Sequence, residues 1–544
     1  MRTTAASLAA PLLLAASAHA LPELSISKRD AKLATSNVAR GLVKRGGTVG
    51  TNVFDILTYS TGGAYYANVT IGTPPQDQVV ILDTGSSDLY FDASTAAACE
   101  ATGPYSCRGG TFTPKDSSSY TIVDASPAFN TSFGDGSTAV GPFAEDIVGI
   151  GNVRISNVQF GVAETVNSTT GYAIGLMGLG YSENEATTHI YPNMPEVLRD
   201  TGVINSRLYS VFLNDVGETS GTILFGGIDT TKYTGELATL DILPDVITGA
   251  VDQFITTVTS LSATIAGNTT SLFTGGTNSI AAYGNSDVAL PVLLDTGSSA
   301  WSVPTTYYDD FIAPLFTYID QDGYCSCSHQ DDADSVTLTF GAKLNITVPA
   351  REFIIPVYNA TTDDPLPYGD GTQACAFMIV AAEPTGEGFQ TLGDAMLRSM
   401  YIVFDLDNGQ LALAQAAVNS TARPSVVTVS AGPSGIASAI STAYSGAPTN
   451  TWSIAPEVQN ATASFSVSTA QSTIGTATGT AALPADAQIS SGGETGSASS
   501  SGSSATTTKK GGAAGLVVPG VEWSGVWVTG TAVMMAALGA GLMM

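Results

Sequence analysis

VVILDTGSSDLY (79–90) returns almost unchanged as PVLLDTGSSAWSV (291–303), and this near-repeat decides the fold. Each copy places an aliphatic run directly before Asp-Thr-Gly-Ser-Ser. A lone Asp-Thr-Gly is an ordinary turn after a strand, expected by chance in roughly one chain in ten of this length. Two copies with matching flanks, 212 residues apart, exclude coincidence.

Such a repeat makes physical sense if two similar lobes face each other and each offers one carboxylate. The apolar strand carries Asp83 or Asp295 to the lobe interface. Thr84 and Thr296 supply hydroxyls that can cross-brace the two loops, and Gly85 and Gly297 let the backbone turn tightly beside a substrate. Two carboxylates a few ångströms apart share a proton and titrate as a unit. The ionised member can then take a proton from an attacking water while the protonated member donates to a peptide carbonyl. That chemistry needs no metal and no cofactor.

Outward from the repeat, strand-like runs recur: AYYANVTIG (64–72), GTILFGG (221–227), VTLTF (336–340) and REFIIPVY (351–358). No long segment has helical periodicity. Only 12% of the 544 residues are charged and 44% are hydrophobic, which suits short strands and turns and predicts a mostly β, bilobal protein. The 47 acidic against 19 basic residues give a net charge of -28, which argues against nucleic acid and anionic lipid surfaces as partners.

Residues 1–20 have the pattern of a cleavable secretory signal, with Arg2, an apolar run and Ala18-His19-Ala20. A prosegment at 21–45 contains Lys28-Arg29 and ends in Lys44-Arg45, dibasic pairs suited to a processing protease. From 419 to 510 the composition turns to Ser, Thr, Ala and Gly, which reads as a stalk unable to bury enough surface to fold. Residues 511–544 begin with small residues and end in an apolar tail with nothing polar after Met544. They fit a removable glycosylphosphatidylinositol signal better than a transmembrane anchor. Asn-X-Ser/Thr acceptors, among them Asn68, Asn130, Asn167, Asn268, Asn345, Asn359, Asn419 and Asn460, point to a glycosylated extracellular chain. Cys325-Ser-Cys327-Ser-His329 has metal-ligand residue types, but no matching cluster completes a site, and disulfides are expected of a secreted chain. After the signal the chain has only His189 and His329, which disfavours a Ser-His hydrolase or a metallopeptidase.

With these motifs the sequence resembles the pepsin family of aspartic proteases over most of residues 64–418. GLMGLG (175–180), SRLYSVFL (206–213), LFGGIDTTKYTGEL (224–237) and TLGDAMLRSMYIVFDLDNGQLALA (391–414) add to the resemblance. The surface anchor and stalk are similar to the fungal, lipid-anchored, yapsin-like subgroup. The resemblance implies an N-terminal β lobe over 46–235 and a C-terminal β lobe over 236–418, acting as a monomer on polypeptide substrates. It makes Asp83 and Asp295 the catalytic pair, supported by Thr84 and Thr296, with Ser86 and Ser298 hydrogen-bonding the carboxylates. Gly85 and Gly297 would approach the substrate backbone. SFGDGS (132–137) matches the flap, so Gly134 and Asp135 would offer backbone contacts to bound peptide. Where the family has a flap Tyr and a Trp after the first motif, this chain has Phe133 and Tyr90. The resemblance also implies a disulfide between Cys99 and Cys107 and a second joining Cys375 to Cys325 or Cys327. The alternative function is a catalytically inactive binding or wall-structural protein on the same scaffold.

Overall fold

The computed structural model describes residues 23–28 and 64–445, with short breaks inside the second span. The β-branched and aromatic runs form strands whose burial follows their position. Leu344–Pro349 alternates, with Leu344, Ile346 and Val348 inward, as a sheet with one wet face requires. Met400–Asp405 is buried along its whole length, as a strand covered on both faces must be.

A 15-stranded sheet carries the first copy of the repeat and a nine-stranded sheet the second. One apolar core joins them, running from Leu82, Phe91 and Met177 through Tyr209 and Phe254 to Val292, Trp301 and Leu392. The two copies sit in equivalent surroundings. Gln76–Asp83 lies parallel to Gly175–Gly178, and Leu89–Asp92 returns antiparallel to that same short strand. Val288–Leu294 likewise lies parallel to Gln390–Leu392, which Trp301 meets antiparallel at Leu392. In each half a short strand is threaded between the two arms of an Asp-Thr-Gly loop.

The halves are not cut cleanly at 235, because that position falls inside the strand Tyr233–Asp241. This strand pairs with Gln410–Ala416, and Leu208–Phe212 pairs with Met400–Asp405, so the large sheet is built from both ends of the chain. Glu23–Lys28, within the expected prosegment, is a strand of the same sheet, antiparallel to Gly221–Phe225 on one side and Tyr65–Ile71 on the other.

The expected start of the stalk at 419 needs correction. Val426–Thr428 pairs with Gly227–Asp229, a short helix follows at Gly435–Ala439, and Tyr444–Ser445 adds to the edge of Tyr233–Asp241. Val429, Ile436 and Ile440 close over Leu208, Phe212, Leu237 and Tyr401. Averaged composition hid these few apolar residues, whose spacing suffices to cover one sheet face. The signal, the rest of the prosegment, the stalk beyond 445 and the anchor signal lie outside the described residues. Among the described residues no helix is long and apolar enough to cross a membrane.

Candidate active site

Asp83 ends its strand and Asp295 follows directly on Val288–Leu294, so both side chains leave apolar strands at the same point and converge. They are 6% and 8% exposed. The two threonines lock the loops together. Thr84 Oγ1 donates to the Leu294 carbonyl at 2.7 Å and accepts from Thr296 N–H at 3.0 Å. Thr296 Oγ1 donates to the Leu82 carbonyl at 2.8 Å and accepts from Thr84 N–H at 3.1 Å. Both hydroxyls and both amide N–H groups of this buried crossing are satisfied, so the relative position of the two lobes at this point is over-determined.

The glycines show how close the approach is. A Cβ on Gly85 would lie 2.7 Å from the Asp295 carboxylate, and one on Gly297 would lie 2.4 Å from Asp83 Oδ1. Each aspartate therefore occupies space that any side chain at the opposite glycine would fill. Gly85 N–H donates to Asp83 Oδ1 and Gly297 N–H to Asp295 Oδ1, both at 2.8 Å. Ser86 Oγ donates to Asp83 Oδ2. Ser298 departs from the expectation: its hydroxyl is directed to the Ala300 carbonyl at 3.5 Å rather than to Asp295.

Burial pushes the Asp295 carboxyl well above the usual carboxylate range. The charge of Asp83 and a hydrogen bond between the two side chains push the same way, while the Gly297 N–H opposes them. A smaller upward push comes from Asp394, a buried acid at the start of the helix Asp394–Leu397, whose N–H donates to the Ser298 carbonyl at 2.8 Å. Asp83 thus accepts from Gly85 N–H and Ser86 Oγ, whereas Asp295 accepts from Gly297 N–H.

Residues 121–132 and 138–150 form a long hairpin whose tip is 133–137. Phe133 N–H donates to the Ser137 carbonyl at 2.8 Å, and the Asp135 carboxylate accepts from Ser137 N–H at 2.8 Å and Ser137 Oγ at 2.7 Å. These bonds shape the tip around Gly134. Phe133 packs on Tyr90 with ring centroids 6.2 Å apart, in an apolar cluster with Ile81, Phe129, Phe143 and Leu176. The Tyr90 hydroxyl reaches the Ile174 carbonyl at 3.3 Å, so the hairpin is held here by ring contact. Burial raises the Tyr90 phenol, and the charges of Asp92, Asp135 and Asp83 add to it.

Cys99 is joined to Cys107 and Cys327 to Cys375, which leaves Cys325 free and buried, its thiol pushed up to about 12 mainly by burial. With Cys327 in a disulfide, the Cys325-Ser-Cys327-Ser-His329 run loses a metal ligand. Asp92, Cys99 and Cys107 converge, but the two sulfurs are bonded to each other and neither is a thiolate.

Three residues of the site escaped notice in the sequence. A Cβ on Gly178 would lie 2.4 Å from Ser87 backbone, and one on Gly393 2.4 Å from the Ser298 and Ala300 carbonyls. Both glycines stand where the threaded strand passes under its Asp loop, and their equivalent positions in GLMGLG and TLGDA were the available signal. Asp394 belongs to the same TLGDA run, where a lone acid among apolar residues was the cue.

The family model described as eukaryotic aspartyl protease matches residues 64–416. A probable aspartic-type endopeptidase opsB of Aspergillus fumigatus is 34% identical over 383 residues, covering 69% of this chain and 73% of the relative. Its Aspergillus oryzae counterpart is 36% identical over 367 residues, 66% and 69% of the two chains. Secreted aspartic protease 8 of Candida albicans is 32% identical over 374 residues, 68% and 78% of the two chains. On these matches and on a duplicated Asp-Thr-Gly pair locked face to face, the chain belongs to the eukaryotic aspartyl protease family.

Proposed function

We propose that the chain is a secreted endopeptidase that hydrolyses peptide bonds in mild acid, held at the cell surface by a C-terminal lipid anchor after removal of its signal and prosegment. The observation that carries the catalytic part is the mutual intrusion of each carboxylate on the opposite glycine, which sets the two acids close enough to share one proton. Asp83 takes a proton from water as its oxygen bonds to the peptide carbon, and Asp295 gives its proton to the carbonyl oxygen. As the C–N bond of the tetrahedral diol breaks, Asp83 passes its proton to the leaving amine and Asp295 recovers one from a diol hydroxyl, giving an acid and an amine. Gly134 and Asp135 at the hairpin tip would bind substrate backbone, with Gly85 and Gly297 beneath it, while the tip excludes water. The apolar wall of Tyr90 and Phe133 favours an apolar residue beside the scissile bond.

Support for secretion comes from the signal-like N-terminus and from the Candida relative, whose name calls it secreted. The dibasic pairs fall in the connection between Glu23–Lys28 and Tyr65–Ile71, or at its start, so processing there would sever that connection. Release of the protein from intact cells by phosphatidylinositol-specific phospholipase C tests the anchor. For the chemistry, purified protein is expected to degrade a denatured protein in mild acid, to be stopped by pepstatin, and to lose turnover in Asp295→Asn. Full turnover in that variant would sink the mechanism.

A further inference from the structure

We propose that Asn130 and Asn167 carry N-linked oligosaccharides that frame the flap hairpin and bias the enzyme toward extended or unfolded polypeptides. The inference rests on the secretory reading above and deepens it.

The base of the flap is a three-stranded ribbon. Its middle strand, Thr138–Ile150, pairs on one side with Thr121–Ser132 and on the other with Thr165–Asn167. Each outer strand holds one acceptor: Asn130 lies opposite Val140, and Asn167 lies opposite Thr138. Both begin Asn-X-Ser/Thr sequences, Asn130-Thr131-Ser132 and Asn167-Ser168-Thr169, and both are exposed. The face of Asn130 is set by its neighbours. Phe129 and Thr131 are buried, with Phe129 against Tyr90 and Phe143, so Asn130 stands on the opposite, outward side of the hairpin. Asn68, by contrast, is half-buried within a strand paired to Gln76–Asp83.

The modification is a group transfer from a lipid-pyrophosphate-linked oligosaccharide. The Asn amide nitrogen bonds to the anomeric carbon, the bond from that carbon to the pyrophosphate oxygen breaks, and the amide proton passes to the transferase base. Sugars so placed stand beside the flap on its solvent face. A peptide strand entering beneath the tip avoids them, whereas a folded protein must bring its bulk against them. Substrate choice would then be set outside the binding cleft, by what can approach the lid.

The test uses the full chain secreted from a host that performs N-glycosylation. Peptide mapping after enzymatic deglycosylation in 18O-labelled water reads occupancy at each Asn. kcat/KM is then measured on a short peptide and on a folded protein, for the native form, for the same sample deglycosylated without denaturation, and for N130Q/N167Q. Occupancy at both positions is expected, with a several-fold rise on the folded protein after sugar removal and no change on the peptide. An unmodified Asn130 or Asn167 in a chain glycosylated elsewhere overturns the proposal alone, as does an equal change on both substrates. A secreted chain without sugar at any acceptor overturns it together with the glycoprotein reading.

Discussion

At the site, residue identity follows from available space. A methyl on Gly297 would meet Asp83 Oδ1 at 2.4 Å and Cγ at 2.7 Å, atoms of the carboxylate proposed to take the proton from water. Gly297→Ala should therefore lower kcat by about 100-fold, the order of loss that follows a 1 Å misplacement of a reacting group. Circular dichroism should show the fold retained, and near-native kcat in that variant would mean that the loops can part without cost. This necessity explains what was legible. Asp83, Thr84 and Gly85 and their counterparts were readable because the chemistry and the crossing tolerate few substitutes. Ser298 was not, since a hydroxyl can turn to another acceptor, here Ala300. Nor was the choice of Cys327 over Cys325. Cys325 stands directly opposite Cys375 in the strand register, and the chain's turn after Ser326 brings Cys327 to it instead.

Among the elements, Leu89–Asp92 carries a buried acid that ties its stability to pH. Asp92 is fully buried, and neither carboxylate oxygen has a hydrogen-bond partner among the described residues, so burial lifts the carboxyl to about 7. Glu185, buried in the same lobe and close to Asp88, is lifted to about 9, mainly by burial. A raised carboxyl binds its proton more tightly in the folded chain. Its contribution is full below the unfolded value and is lost as pH rises through the folded one. Between about pH 5 and about pH 8 the ionisation of Asp92 should thus cost on the order of 3 kcal/mol. Denaturant unfolding is expected to show the native chain losing that much more stability over this range than Asp92→Asn, and equal losses would remove Asp92 as the cause. The hairpin around SFGDGS was legible. The burial of Asp92 was not, because it depends on the strands Val153–Ala163 and Gly175–Gly178, which flank it from far along the sequence.

Over the whole molecule, two lobes are legible because the sequence is duplicated, whereas the way the ends are tied is not. The strand Leu208–Phe212 has two working faces. Tyr209 turns inward, its hydroxyl donating to the Leu179 carbonyl at 2.9 Å, while Leu179 N–H donates to the Asp83 carbonyl at 2.8 Å. Leu208 and Phe212 turn outward beneath Val429, Ile436 and Ile440 of the C-terminal strap. The strap lies beyond the family match, which ends at 416, and its Ser- and Ala-rich composition disguised it. Ile436→Ala should cost roughly 2–5 kcal/mol of unfolding free energy, the range for truncating a buried Ile. A loss within experimental error would mean that the strap is not part of the folded unit. The central claim, that Asp83 and Asp295 share one proton, is tested most directly by kcat/KM for a short peptide from about pH 2 to about pH 8. The account predicts a bell with two apparent pKa values belonging to the pair, and its disappearance in Asp83→Asn and Asp295→Asn alike. A single titrating limb, or native turnover in either variant, would contradict it.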